Sequence, residues 1–117
     1  MIYHNHRTEP YFTFVKNGQK TIEVRVAKDK YKDINIDDQF IVHNDDETDS
    51  IEVKIIGIRK YPSIKDLLEH EDLYKILPNA KSIDEGIEIY KKFYTEEQQK
   101  EFGVVAIEIT RLSKNNS

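Results

Sequence analysis

The 117-residue chain is 38% hydrophobic, contains no Cys and carries a formal net charge of −4. A chain of this length forms one domain around one core, and the lack of Cys excludes disulfide and thiolate chemistry. No apolar segment reaches the length of a signal peptide or a membrane span, so the sequence predicts a cytoplasmic protein with no membrane contact. The negative net charge predicts no affinity for long nucleic-acid tracks, because such affinity comes from neutralising phosphates.

The N-terminal part of the chain is predicted to contain a lead-in, a short helix and a strand. Residues 1–8 lack periodicity and are expected to be frayed at about 1–6, apart from at most a two-residue edge strand. Pro10 suits the first turn of the helix, and Gly18 is its natural left-handed stop. Apolar and polar residues alternate over 21–26, which predicts a strand with two different faces.

The rest of the chain is predicted to form two strands, a helical region and a last strand. A strand over 39–43 is joined by an acidic hairpin loop to a long strand over 51–61, in which Gly57 marks a bulge or a close approach of the backbone. Three helical segments follow between 63 and 102, two of them opened by serine caps. The start of the strand over 104–112 is apolar on both faces, so this strand is expected at the centre of the sheet.

This order of elements predicts an α+β fold. Short loops between the first strands favour antiparallel pairing. A small curved mixed sheet or partly closed β-barrel of about five to six strands, with helices packed outside it and over one end, satisfies these constraints. The chain 1–117 is expected to be a single domain of this kind, with a second frayed end at 113–117.

The polar face of the strand over 21–26 is the candidate functional site. Alternation places Thr21, Glu23 and Arg25 opposite the apolar residues, and Lys20 lies in the preceding turn. A desolvated lysine can act as a base or nucleophile, a glutamate can carry a proton, and the guanidinium fork of an arginine suits phosphate or an oxyanion. The alternative is an exposed strand whose Glu23–Arg25 pair contributes about 0–1 kcal/mol.

Other clusters in the sequence are better explained by structure than by chemistry. The four histidines are accompanied by no Cys and form no helical pair, so no metal site is predicted. The acidic loop at 45–49 lacks the pattern of a calcium loop, and no cofactor motif or Gly-rich phosphate loop occurs. Aromatic side chains stack on nucleic-acid bases, but Tyr90 and Tyr94 beside Phe93 follow a core stripe, which favours packing.

The stretch that opens the candidate site resembles a known family. The start of the ASCH domain, with its hallmark G-x-K-x-x-E-x-R, is similar to EPYF followed by VKNGQKTIEVR, in which the hallmark residues are Gly18, Lys20, Glu23 and Arg25. The similarity continues over residues 9–110. It implies a PUA-like β-barrel with flanking helices, and a cleft between the first helix and the barrel that holds RNA or a nucleotide.

The resemblance leads first to an RNA- or nucleotide-binding module without a cofactor. Its ligand-binding residues are Gly18, Lys20, Thr21, Glu23 and Arg25. On this hypothesis, loss of Lys20 or Arg25 lowers the affinity for the ligand with little loss of fold stability.

The resemblance is also consistent with an enzymatic function. One branch of small ASCH proteins resembles amidohydrolases that deacetylate N4-acetylcytidine with a Lys, a Thr three positions later and a more distant Glu. Here Lys20 matches the first position and Glu23 stands at the second, so these two are the candidate catalytic residues. Other members are described as ribonucleases or as RNA-binding parts of coactivator complexes, and the acidic helices at 63–101 suit a protein-interaction module.

Overall fold

The computed structural model describes residues 1–112, which contain five strands and five α-helices. The strands are β1 (Ile2–His6), β2 (Ile22–Val26), β3 (Gln39–His43), β4 (Ser50–Tyr61) and β5 (Val104–Arg111). The helices are α1 (Tyr11–Lys16), α2 (Ile64–His70), α3 (Leu73–Ile76), α4 (Ile83–Lys91) and α5 (Glu96–Phe102), and a 3₁₀ helix spans Asp29–Lys32. The frayed end expected at 113–117 lies outside the described residues.

The five strands form one sheet in the order β1–β3–β4–β5–β2. Strands β3, β4, β5 and β2 pair antiparallel, and β1 pairs in parallel with β3. The sheet curls into a half-barrel with the helices around it, which confirms the expected α+β fold. None of the helices in the range 1–112 has the length and apolarity that a membrane span requires.

The pairing of the strands differs from the sequence-based expectation in two ways. Strand β2 does not pair with β3, because β5 lies between β2 and β4 with Ala106 opposite Val24. Strand β1 extends over five residues, where at most a two-residue strand was expected. Both pairings join segments that are far apart in the chain, so the local hydrophobic pattern carries no signal for them.

Glycines and serines occupy the positions at which the sequence predicts a bulge, a turn and the starts of two helices. The register of β4 shifts between Ile55 and Gly57, and a Cβ on Gly57 would lie 2.8 Å from a neighbouring guanidinium nitrogen. Gly18 has a φ of +86°, a left-handed conformation that other residues rarely adopt. Ser63 and Ser82 accept a backbone hydrogen bond at the starts of α2 and α4, as their positions predict.

The hydrophobic core has two parts on opposite faces of the sheet. One part packs β2 against α2 and α3, and includes Val24 and Leu67. The other fills the inside of the half-barrel beneath α1, and includes Phe12. Successive residues of β5 point alternately into the two parts, with Ala106 in the first and Ile107 in the second. The central position expected for this strand is therefore confirmed.

Candidate functional site

Strand register turns Glu23 and Arg25 toward the inside of the half-barrel. In the β2–β5 pair, Glu23 lies opposite Ile107 and Arg25 lies opposite Val105. Directly opposed residues share a face of the sheet, and both Ile107 and Val105 belong to the core beneath α1. The polar face expected for β2 therefore exists, but it faces the interior of the curled sheet.

A cleft of about 550 Å³ opens between β1 and β2, the two edge strands of the sheet. It is also bordered by the 3₁₀ helix and by the C-terminal end of α4. The charged side chains that line it are Arg7, Lys20, Glu23, Arg25, Lys30 and Asp45. The aromatic side chains that line it are Tyr11, Tyr31, Tyr90, Phe93 and Tyr94.

Three cations share the single carboxylate of Glu23. The Nε of Arg7 donates to Glu23 Oε2 at 3.0 Å, and Arg7 Nη2 lies 2.8 Å from the same oxygen without the alignment of a hydrogen bond. On the other oxygen, Oε1, Lys20 Nζ lies at 3.7 Å and Arg25 Nη1 at 3.5 Å. The four side chains are between 3% and 13% exposed, so this cluster is shielded from solvent.

The cluster shifts the pKa values of its members in a way that limits their chemistry. Burial raises the pKa of Glu23, but the charges of Arg7, Lys20 and Arg25 outweigh it and lower the pKa from 4.5 to about 2. Burial lowers the pKa of Lys20 from 10.5 to about 8, against the attraction of Glu23. Glu23 is therefore a fixed anion at neutral pH and a poor proton carrier, whereas Lys20 titrates close to neutrality.

Lys20 is anchored in the wall of the cleft. Its Nζ donates to the carbonyl oxygen of Ile22 at 3.1 Å and to that of Ile76 at 2.6 Å, and its side chain is 3% exposed. These bonds connect the start of β2 to the end of α3. Loss of Lys20 is therefore expected to destabilise the fold, whereas the sequence alone predicted little loss of stability.

Two of the predicted ligand-binding residues, Gly18 and Thr21, do not line this cleft. They border a separate cavity of about 720 Å³ that also touches β4 and the end of β5. Strand β2 begins at Ile22, and Thr21 lies directly before it. The backbone of Thr21 is instead bonded to Lys75 and Ile109.

Two residues of the cleft had no recognisable signal in the sequence. Arg7 makes the shortest contact with Glu23, yet it lies within residues 1–8, which lack periodicity. Tyr31 donates its hydroxyl to Asn5 Oδ1 at 2.8 Å, and the Arg25 guanidinium lies 5.4 Å from the centre of the Tyr31 ring. Tyr31 stands among closely spaced lysines, and nothing in this local pattern marks the tyrosine itself.

The aromatic residues at the end of α4 have two roles. Tyr90 is 7% exposed and packs in the core, as expected, but it also lines the cleft. Phe93 is 60% exposed at the cleft. A solvent-accessible aromatic ring beside a basic cluster is the arrangement that stacks on bases.

The histidines near the cleft contact one another and an acidic residue. His4 and His43 are stacked, with 3.0 Å between His4 Nδ1 and His43 Nε2. His6 Nε2 lies 2.9 Å from Glu47 Oε2. Within residues 1–112, no group of three or more candidate ligands is arranged to hold a metal ion.

The half-barrel and its basic cleft define a PUA-like domain of the ASCH type. The chain belongs to the ASCH domain family, whose model matches residues 6–113. The family is generally thought to bind RNA. No curated protein matches the chain.

Solved structures agree with this assignment. The crystal structure of hypothetical protein PH0355 is 39% identical, with a TM-score of 0.86 over 96% of this chain and 100% of that chain. The solution structure of protein PF0455 from Pyrococcus furiosus is 36% identical, with a TM-score of 0.77 over 97% of this chain and 100% of that chain. An ASCH domain from Lactobacillus crispatus JV V101 shares the fold at 12% identity, with a TM-score of 0.63 over 93% of this chain and 79% of that chain.

Proposed function

We propose that the cleft between β1 and β2 binds RNA or a nucleotide. The main support is its excess of positive charge, since Arg7, Lys20 and Arg25 surround one carboxylate, that of Glu23. Buried charges require partners, and one carboxylate offsets one of the three cations. An anionic ligand supplies the missing negative charge, although the chain as a whole is acidic. We also propose that the protein is cytoplasmic, as its sequence predicts.

The size and lining of the cleft favour one nucleotide, free or as a unit of a single strand. A volume of about 550 Å³ falls within the range of small-ligand sites, roughly 300–1,000 Å³. Phe93 offers a ring for a base, and Lys30 offers charge for a phosphate. A duplex presents its bases stacked and paired, whereas a single strand exposes them to such a ring.

Replacing Phe93 by Ala tests the stacking role. Loss of one stacked base weakens binding by about 1–3 kcal/mol, which is roughly 5- to 150-fold in Kd. The measurement is fluorescence anisotropy with a labelled single-stranded RNA octamer, and calorimetry with the four ribonucleoside 5′-monophosphates. Because Phe93 is 60% exposed, the variant should keep its thermal midpoint.

The matched control is Tyr74→Ala, which removes an aromatic side chain that is 62% exposed and lies outside the cleft. It should bind the probes as the wild type does. Wild-type binding should also weaken as salt is raised, because phosphate contacts release counterions. If the wild-type protein binds none of these probes at low salt, the proposed function is wrong.

A hydrolase is a second candidate, favoured by the lowered pKa of Lys20. A pKa of about 8 leaves part of the Lys20 population neutral near physiological pH, and a neutral amine accepts a proton from an attacking water. On N4-acetylcytidine, water would add to the acetyl carbonyl and the bond to N4 would break, giving cytidine and acetate. Glu23, with a pKa of about 2, would position Lys20 electrostatically and would not carry the proton.

Turnover of N4-acetylcytidine, followed by chromatography of released cytidine, tests this candidate. The rate should rise with pH through about 8, as Lys20 loses its proton. Lys20→Arg keeps a cation that stays protonated over this range, so it should abolish turnover. A wild-type rate no higher than that of the buffer would exclude this deacetylase activity, and the RNA octamer incubated in the same way tests for ribonuclease activity.

A further inference from the structure

The hydroxyl of Tyr90 has no hydrogen-bond partner within residues 1–112. The residue is 7% exposed, and a tyrosine hydroxyl this deeply placed ordinarily finds a partner. Tyr31, on the same cleft, does so through Asn5. The Tyr90 hydroxyl is not sealed off from solvent as Arg7 Nη2 is, and Tyr90 lines the cleft. It is therefore available to a molecule bound there.

An acceptor is available in the same cleft. Glu23 Oε2 is engaged by Arg7 at 3.0 Å, whereas Lys20 and Arg25 lie 3.7 and 3.5 Å from Oε1. Those distances exceed the usual range of an N–H···O hydrogen bond. Oε1 thus keeps capacity for an N–H group of a ligand.

The electrostatics of the cleft keep the Tyr90 hydroxyl a donor. Burial and then the negative charge of Glu23 raise the pKa of Tyr90, so the phenol stays protonated across the physiological range. Glu23 in turn stays an ionised acceptor, because the neighbouring cations outweigh its burial and lower its pKa to about 2. The cleft therefore presents one fixed donor and one fixed acceptor.

We propose that Tyr90 and Glu23 together recognise the hydrogen-bonding edge of a nucleobase in this cleft. The Tyr90 hydroxyl donates to a carbonyl oxygen or ring nitrogen of the base, and Glu23 Oε1 accepts from the neighbouring N–H. The edge of an unpaired base carries such donors and acceptors side by side, whereas a phosphate carries acceptors alone. This inference rests on the proposed function and places the edge of the base, rather than the phosphate, against Tyr90 and Glu23 Oε1.

Tyr90→Phe tests the inference because it removes the hydroxyl and keeps the ring. The probe is whichever ribonucleoside 5′-monophosphate the wild-type protein binds most tightly, measured by calorimetry. The variant should bind it about 5- to 150-fold more weakly, as for the loss of one buried hydrogen bond. The slope of log Kd against log salt should stay the same, since no phosphate contact is lost.

The unliganded protein provides the test against a purely structural role. Because the hydroxyl has no protein partner, its removal should leave the thermal midpoint unchanged or slightly raised. Tyr74→Phe, at a side chain 62% exposed and outside the cleft, is the matched control and should alter neither property.

The possible outcomes separate this inference from the proposed function. Unchanged nucleotide affinity in Tyr90→Phe overturns the inference and leaves the proposed function standing. A lowered thermal midpoint without ligand, or a changed salt slope, also overturns it, since the hydroxyl would then serve the fold or the phosphate. Absence of binding by the wild-type protein overturns both.

Discussion

Replacing Glu23 by Gln is expected to lower the free energy of unfolding by about 3–5 kcal/mol, because it leaves buried cations without an anion. Arg7, Lys20 and Arg25 all lie within 3.7 Å of the Glu23 carboxylate. The Glu23 side chain is 7% exposed, so water cannot replace the lost charge. The thermal midpoint should fall by roughly 10–30 °C, and chemical denaturation measures the same loss.

The pH dependence gives this prediction a second test. The pKa of Glu23 is about 2 in the folded state, below its ordinary value of 4.5. Its stabilisation is therefore complete above pH 4.5 and is lost as the pH falls toward 2. The difference in stability between wild type and Glu23→Gln should be largest near pH 7 and should shrink over that acid range.

The matched control is Glu88→Gln, at a side chain that is 69% exposed and pairs with Lys91. An exposed pair contributes about 0–1 kcal/mol, so this variant should resemble the wild type. Equal stability of the two Gln variants would contradict the account of Glu23 as the anion that holds the cluster. A pH-independent difference would show that the loss has a cause other than its charge.

Local sequence patterns were sufficient to predict the strand that carries the candidate site. Alternation over 21–26 correctly put Glu23 and Arg25 on one face, because the two-residue period of a strand is a local property. The left-handed turn at Gly18 was also predicted from a local property, the freedom of glycine to adopt a positive φ. The central position of β5 followed from its apolar residues on both faces.

Burial of that polar face was not predictable from the same pattern. The period of a strand states which residues share a face, but not what covers the face. Here the other edge of the half-barrel covers it, and Glu23 and Arg25 are 7% and 12% exposed. The exposed-strand alternative is therefore wrong.

The edge of the cleft formed by β1 could not be predicted from the sequence, because it depends on a long-range pairing. Arg7 reaches Glu23 because β1 lies parallel to β3, with Asn5 opposite Val42. Strand β1 has a single buried residue, Asn5, and so lacks the alternation that marks a half-buried strand. Contacts of this kind follow from topology, which local propensity does not determine.

Replacing Lys20 by Met is expected to lower the free energy of unfolding by about 2–4 kcal/mol, because two buried carbonyl oxygens lose their donor. These oxygens belong to Ile22 and Ile76, at 3.1 and 2.6 Å from Nζ. The loss is smaller than the sum of two unsatisfied acceptors, since Met also removes a buried charge whose desolvation lowers the pKa of Lys20 to about 8. Because the contact with Ile76 ties α3 to β2, hydrogen exchange at 73–80 should accelerate.

The charge of Lys20 adds a pH signature that a simple packing defect lacks. Its folded pKa of about 8 lies below its ordinary value of 10.5, so the unfolded chain binds the proton more tightly between these values. The Lys20 contribution to stability therefore rises with pH from about 8 to 10.5, and the gap between wild type and Lys20→Met should widen over this range. Lys91→Met, at a side chain 61% exposed, should change stability by less than about 1 kcal/mol. If Lys20→Met matched that control in stability and in pH slope, Lys20 would not be the buried link between β2 and α3, and the cleft wall would not depend on it.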